Sequence, residues 1–267
     1  MTTSTAAIPT DRLRVYRALA EAAAREAGAL ALRRFLNRDF EVEEKGTQDF
    51  VSAVDRDCEI LIKDRLTRAA PEVGFVGEEG SRDFGDVVWV VDPIDGTSNF
   101  VHGLAYWCVS IGLCAHGRSV VGVIYDPVAN ELFSAADGLG ATVDGRPIRV
   151  SAIADPANAT LAVGYSYRKP IDTHLAALGR LLAAKCVYRM PGAGALSLAH
   201  VAAGRFEGFW ESHINSWDAM AGLCLITEAG GRINDFLGDD GLRNGNVILG
   251  CTPDLEAFFR EVTGTPG

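Results

Sequence analysis

"WVVDPIDGTSNFVHG", residues 89–103, is the stretch on which the reading of the chain turns. Val88, Val90 and Val91 around Trp89 predict a buried strand. Two aspartates, Asp92 and Asp95, follow at once and are split by Pro93. Proline lacks a backbone N–H and blocks helix continuation, so the strand is expected to end at Asp92 and the chain to turn sharply. In such a turn the two carboxylates converge, with the carbonyl of Ile94 free beside them. Like charges this close repel, so something positive belongs between them. Carboxylate and carbonyl oxygens are the donors a hard cation such as Mg2+ prefers. Gly96 and Thr97 then open a helix whose first amide groups face an anion. A metal beside a phosphate cradle is an arrangement for phosphoryl transfer.

Each acid also has an ordinary explanation. An Asx turn plus a helix cap accounts for one aspartate of the pair and leaves the second unexplained. "GEEG" (77–80) follows a short strand and reads equally as a charged surface turn. "SWDAMAG" (216–222) places Asp218 at the front of an apolar helix, where the dipole favours any acid. Asp49 and Asp55, flanking "FVSAV", read as caps and solvated charge.

The bulk composition narrows the partners. Of 267 residues, 25 are Lys or Arg and 35 are Asp or Glu, a formal charge of −10. That argues against nucleic acid, which needs a basic face. An acidic chain that handles anionic small molecules must supply local positive charge, and a bound metal does so. The six cysteines form no C-x-x-C pair and lie mostly in apolar runs, as buried reduced thiols do. No secretory apolar region opens the chain and no apolar run reaches the about 18 residues of a membrane span. A cytoplasmic protein without membrane contact is expected.

Along the chain, residues 1–9 read as a flexible tail. Residues 11–36 read as an amphipathic helix capped by Thr10 or Asp11, and 52–69 as a second helix capped by Ser52. From 106 to 150, short strands separated by HGRS and DGRP predict an antiparallel meander. Beyond 150 the pattern alternates: strand, helix 171–184, strand, small-residue helix 194–203, strand, helix 217–229, two strands, helix 253–263. The organisation expected is an N-terminal α+β half over 10–150 and a C-terminal α/β half over 151–267, sharing one site.

"GEE", "WVVDPIDGTSNFVHG" and "SWDAMAG…EAGG", in this order, resemble the inositol monophosphatase family of Mg2+-dependent, lithium-sensitive phosphatases. The resemblance covers roughly residues 15–255. It implies an α+β fold, a layered α/β/α/β/α sandwich with an antiparallel sheet in the first half and a mixed sheet in the second. It implies hydrolysis of a small polyol or amino-alcohol phosphate by activated water, with two to three Mg2+ ions. Glu78, Asp92, the Ile94 carbonyl, Asp95 and Asp218 resemble the family's metal ligands. Gly96 and Thr97 resemble its phosphate site. Thr97 and Glu78 would orient and help deprotonate the water, with Asp55 hydrogen-bonded to Thr97. Lys45 resembles the lysine of the family's early loop.

The alcohol is expected to meet the second half. Glu211 matches the family glutamate that binds substrate hydroxyls, and Gly192, Ala193 and Gly194 lie where backbone approaches substrate. Many members carry a Gly-Ser or Gly-Thr pair here, whereas this chain reads Pro191-Gly-Ala-Gly, which removes a hydroxyl. His213 is a candidate for the pocket rim, and Arg189 for steering a second anionic group. myo-Inositol monophosphate heads the substrates implied. Histidinol phosphate is the alternative, and a bisphosphate nucleotidase or a non-catalytic regulatory protein stands behind it. A homodimer is expected by analogy, with apolar surface around Trp107 and Phe133.

Overall fold

The computed structural model describes the backbone of residues 7–40, 42–46 and 49–266, and the side chains of these residues apart from 42–52. α1 (Thr10–Asn37) buries a stripe of Leu13, Tyr16, Ala20, Ala23, Ala24, Ala27 and Ala31. Its N-cap position is Pro9, with no side-chain cap, so Asp11 is a first-turn acid and not the expected cap. β1 (Val42–Gly46) and β2 (Asp49–Ser52) form a small antiparallel hairpin. Ser52, expected as a cap, ends β2, and α2 starts one residue later (Ala53–Ala69). Lys45, expected in a loop, occupies the irregularity in the β1 register between Glu44 and Gly46; its side chain lies outside the described residues.

The first half continues as β3 (Gly74–Gly77), β4 (Arg82–Asp83), β5 (Val87–Asp95), α3 (Thr97–His102), β6 (Cys108–Ala115), β7 (Arg118–Asp126), β8 (Glu131–Ala136), β9 (Ala141–Val143) and β10 (Arg146–Pro147). Its eight strands run in the order β10-β9-β8-β7-β6-β5-β3-β4. The meander from β5 to β10 is antiparallel, as the turn signals predict. One pair departs from that pattern: β3 and β5 are parallel, Gly77 facing Val91. The physical reason is β4, which reverses the chain at the sheet edge so that β5 enters beside β3 in the same direction.

The second half comprises β11 (Thr160–Val163), α4 (Ile171–Ala183), β12 (Val187–Arg189), α5 (Gly194–Ala202), β13 (Gly208–Ile214), α6 (Ser216–Glu228), β14 (Arg232–Ile233), α7 (Gly241–Asn244), β15 (Asn246–Cys251) and α8 (Glu256–Thr263). Its mixed sheet runs β12-β11-β13-β15-β14, with β11 parallel to both neighbours and β15 antiparallel to both.

Three apolar cores define five layers. The first lies between α1 and α2 and one face of the large sheet, centred on Trp89, Val91, Ile111 and Leu113. The second holds α5 and α6 between the two sheets, from Val88 and Val90 on one side to Phe209 and Ile248 on the other. The third joins the far face of the small sheet to α4 and α8 through Trp210, Leu249 and Phe259. This is the α/β/α/β/α sandwich. Each fully buried large side chain contributes about 1.5–3 kcal/mol.

The helix α6 lies unusually close to the large sheet. A Cβ at Gly122 of β7 would stand 2.1 Å from the Ala221 carbonyl oxygen, and one at Gly112 would meet Met220 at 2.6 Å. These two glycines let the helix seat on the sheet, and its seating fixes where its first turn points.

Trp107 and Phe133 are fully buried inside the chain, so they offer no surface to a second copy. Trp107 packs on Phe35 and Phe100. The meander side chains expected to face outward are covered by the fold's own helices. Among the described residues, no helix is long and apolar enough to cross a membrane.

Candidate active site

Strand β5 does not stop at Asp92. It continues through Pro93 to Asp95, and the register against β6 slips between the two aspartates: Asp92 faces Ser110 and Asp95 faces Cys108. This bulge replaces the sharp turn expected from the sequence, because a bulge absorbs a proline that cannot donate to the ladder. The turn itself comes at Gly96, whose φ of 90° is a left-handed conformation. Asp92 and Asp95 therefore leave one strand a bulge apart.

The parallel pairing supplies the third acid. Because Gly77 faces Val91, the ends of β3 and β5 finish side by side, and the Glu78 amide donates to the Val91 carbonyl at 3.1 Å. Glu78 and Asp92 come next on the two strands, and their carboxyl groups interact. The fourth acid comes from the first turn of α6. Asn215 and Asp218 form a reciprocal capping box, with the Asn215 amide donating to Asp218 Oδ2 at 3.2 Å. Ligand atoms of Asp92, Asp95 and Asp218 lie within 4.8 Å of one another.

The ordinary explanations are thus present as well, and they orient the acids. Asp92 Oδ1 accepts the Ile94 amide at 2.9 Å, an Asx turn. Asp95 accepts the amides of Gly194 (3.0 Å) and Leu196 (3.1 Å) at the start of α5, and the Cys108 thiol at 3.4 Å.

Burial and mutual repulsion push the carboxyls of Glu78 and Asp92 well above the usual range. Asp95 is pushed up to about 7, by burial first and then by Asp218, against the lowering effect of its amide donors. Burial likewise raises Asp218. A cluster of two buried carboxylates (Asp92, Asp95) and two half-buried ones (Glu78, Asp218), whose partners are amides, a thiol and one another, is an all-oxygen donor set short of positive charge. It fits a hard divalent cation such as Mg2+.

Thr97 stands at the turn. Its hydroxyl faces Asp55 Oδ1 at 3.2 Å and the Ile94 carbonyl at 3.0 Å. The Ile94 carbonyl, expected to be free, therefore already has a donor within reach. Gly96 is crowded by the second half: a Cβ there would stand 3.0 Å from the Ala193 side chain and 3.3 Å from the Gly192 carbonyl oxygen. The phosphate-site candidates and the backbone-approach candidates are thus neighbours.

Asp95 and Asp218 open onto a cleft of about 230 Å3 that is also lined by Gly164, Tyr165, Gly192, Ala193, Gly194, Phe209 and Glu211. Burial, then Asp218 and Asp95, hold the Glu211 carboxyl well above its ordinary range, while Arg168 opposes them. No hydrogen bond reaches its side chain among the described residues. His213 stands outside this lining and meets Arg168 Nη1 at 3.3 Å. Arg189 is exposed at the end of β12 and donates to the Tyr188 carbonyl. The cation whose charge acts on Glu211 is Arg168, which donates to the capping Asn215 at 2.8 Å.

Several residues of the site escape a reading of the sequence. Glu59, four positions after Asp55 on α2, is buried and accepts the amides of Glu79 and Ser81. Its signal was available: two acids on the otherwise apolar stripe of one helix. Asn99 ties α3 to the second half, its Nδ2 donating to the carbonyls of Tyr106 (2.7 Å) and Pro191 (2.8 Å). Gly164 makes room for Glu211: a Cβ there would fall 1.8 Å from Oε2. No local pattern marks these last two.

The chain is a layered sandwich in which a carboxylate cluster stands beside a small polar cleft. The chain belongs to the inositol monophosphatase family, which it matches over residues 12–260. It is 38% identical over 251 residues to the Nus factor SuhB of Pseudomonas aeruginosa, covering 90% of this chain and 93% of that protein. It is 40% identical over 246 residues to the inositol-1-monophosphatase of Mesorhizobium japonicum, covering 88% and 92%. The crystal structure of the extragenic suppressor protein SuhB from Bartonella henselae superposes with a TM-score of 0.86 at 34% identity, over 96% of this chain and 99% of that one.

Proposed function

We propose that this protein is a Mg2+-dependent phosphomonoesterase acting on a small polyol or amino-alcohol phosphate, with myo-inositol monophosphate as its first candidate substrate. One observation carries the reading: Asp95 and Asp218 belong both to the carboxylate cluster and to the cleft that holds Glu211. Glu78, Asp92, the Ile94 carbonyl, Asp95 and Asp218 would hold two to three ions. A divalent cation bound there lowers the pKa of water and neutralises charge on the phosphate.

The chain's own groups do the positioning. Gly96 and Thr97 would receive the phosphate through their backbone. With the Thr97 proton directed to Asp55, a lone pair of Oγ1 faces the attacking water, and Glu78 takes up its proton. The water oxygen bonds to phosphorus as the P–O bond to the alcohol breaks, and the departing alkoxide takes a proton from solvent. Glu211 would accept hydrogen bonds from the alcohol's hydroxyls, flanked by backbone at Gly192, Ala193 and Gly194, with His213 near the rim. Lys45, on the β1–β2 hairpin, would belong to the edge of the site. A homodimer and a cytoplasmic location complete the reading.

Phosphate release from a panel of esters (myo-inositol 1-phosphate, histidinol phosphate, glycerol phosphate, adenosine 3′,5′-bisphosphate) tests it. A polyol ester should lead in kcat/KM. Preference for histidinol phosphate would move the substrate to that alternative, and no turnover of any ester would end the reading. The relatives named Nus factor SuhB favour a second reading, a regulatory role on the same fold. It predicts a chain whose regulatory partner survives loss of Asp95.

A further inference from the structure

Glu78 sits in the tight loop after β3, and that loop is gripped from two sides. From α2, Glu59 accepts the amides of Glu79 at 2.6 Å and Ser81 at 3.4 Å. A Cβ at Gly77 would strike the Glu59 carboxylate at 2.3 Å, so glycine is what lets the two approach. From the opposite direction, Arg82 reaches back over the loop. Its guanidinium donates to the carbonyls of Gly77, of Ser81 at 2.9 Å and of Glu78 at 3.4 Å. The same guanidinium lies over the Trp217 ring, 4.8 Å from its centroid. Trp217 immediately precedes Asp218, and its carbonyl accepts the Ser110 hydroxyl at 3.2 Å.

One side chain therefore fastens the loop that carries Glu78 to the residue beside Asp218. We propose that Arg82 is a positioning residue that sets cation affinity by holding Glu78 toward the carboxylate cluster. The inference rests on reading that cluster as a divalent-cation site.

The physical argument is one of preorganisation. Asp218 and Glu78 repel when both are ionised and no cation stands between them. A loop free to relax would carry Glu78 outward, and binding would have to pull it back. Arg82 donates to backbone carbonyls and not to the carboxylate itself, so it restrains the loop while leaving the ligand oxygens available. Outer partners of this kind commonly change metal affinity 10- to 100-fold.

Charge alone makes the opposite prediction. A guanidinium near a cation site repels the cation, so its removal by itself would tighten binding. The sign of the change therefore separates positioning from electrostatics.

The test is calorimetric titration of metal-free protein with Mg2+ and with Mn2+, for wild type, Arg82→Ala and Arg82→Lys. Melting temperatures in chelator check folding, and Trp fluorescence follows the environment of Trp217 during the titration. Arg82→Ala should raise the dissociation constant about tenfold. Its turnover at saturating Mg2+ should approach wild type. Arg82→Lys should fall between, because an ammonium keeps the ring contact and loses the planar fork that spans several carbonyls. An unchanged or tighter constant in Arg82→Ala overturns the proposal, and so does an Arg82→Lys protein equal to wild type should the alanine variant fail to fold. A wild type that binds neither ion sinks the cation-site reading itself, a result distinct from wild-type binding that ignores Arg82.

Discussion

Asp95, on the large sheet, accepts the backbone amide of Leu196 at the start of α5, at 3.1 Å. A residue of the first half is thereby locked to a helix of the second. The same carboxylate takes the Gly194 amide, which lines the cleft. Asp95 is both a candidate ligand and a structural acceptor, and its substitution separates the two roles.

Asp95→Asn should reduce turnover by about a thousandfold or more, the scale of losing a main electrostatic element of a site. Its stability without metal balances two terms. Removing a charge relieves repulsion within the cluster, while one helix amide loses a good acceptor, a loss of about 1–3 kcal/mol. These oppose each other, so melting in chelator should shift by only about 2–4 °C. Mg2+ should raise the melting temperature of wild type and much less that of the variant. A collapse of the metal-free variant would assign Asp95 to structure alone.

The raised carboxyls fix a pH dependence. An acid whose folded pKa lies above its unfolded value binds more protons when folded, so stability is full below the unfolded pKa and is lost as pH rises through the folded one. For Asp95 that window runs from about 4 to about 7, and Glu78, Asp92 and Asp218 act in the same direction. Metal-free protein should therefore melt lower at pH 8 than at pH 5. A cation favours the ionised carboxylates, so the stabilisation by Mg2+ should grow across that interval. Scanning calorimetry at several pH values, with chelator and with Mg2+, measures it. A Mg2+ increment independent of pH would contradict the cluster's assignment.

Much of this was legible in the sequence, and what was missed has physical causes. The helices, the meander and the strand–helix alternation of the second half follow from periodicity and turn residues, whereas the mixed second sheet follows only from the family resemblance. Asp92, Asp95 and Asp218 stand out because two or three acids at the ends of apolar elements demand compensation. The parallel pairing of β3 with β5 depends on a two-residue edge strand too short to give a pattern, yet it is what sets Glu78 beside Asp92. Trp107 and Phe133 read as surface because a strand's pattern does not say which face a helix covers. Gly164 and Asn99 act on partners across the fold, Glu211 and Pro191, and pairwise contacts of that range leave no local trace.

Gly164 gives a way to reach the cleft without touching any acid. Gly164→Ala places a methyl group where Glu211 Oε2 now lies and should displace that carboxylate. Glu211→Gln and Gly164→Ala should then behave alike. Each should lower kcat/KM for the preferred hydroxylated ester by about 5- to 150-fold, the effect of leaving a hydroxyl-binding group unpaired by about 1–3 kcal/mol. A featureless aryl phosphate, with no hydroxyl to lose, should react at a nearly unchanged rate. Equal losses on both esters would place Glu211 in support of the cation cluster and withdraw it from the alcohol.

The central claim is that four carboxylates, from the loop after β3, from β5 and from α6, form a cation site that drives ester hydrolysis. Phosphate release from myo-inositol 1-phosphate by chelator-treated protein, measured as Mg2+ is added back, tests it most directly. The rate should be negligible without the ion and rise with Mg2+ to a plateau, and it should fall again as Li+ is added at fixed Mg2+. Turnover that persists in excess chelator would contradict the claim.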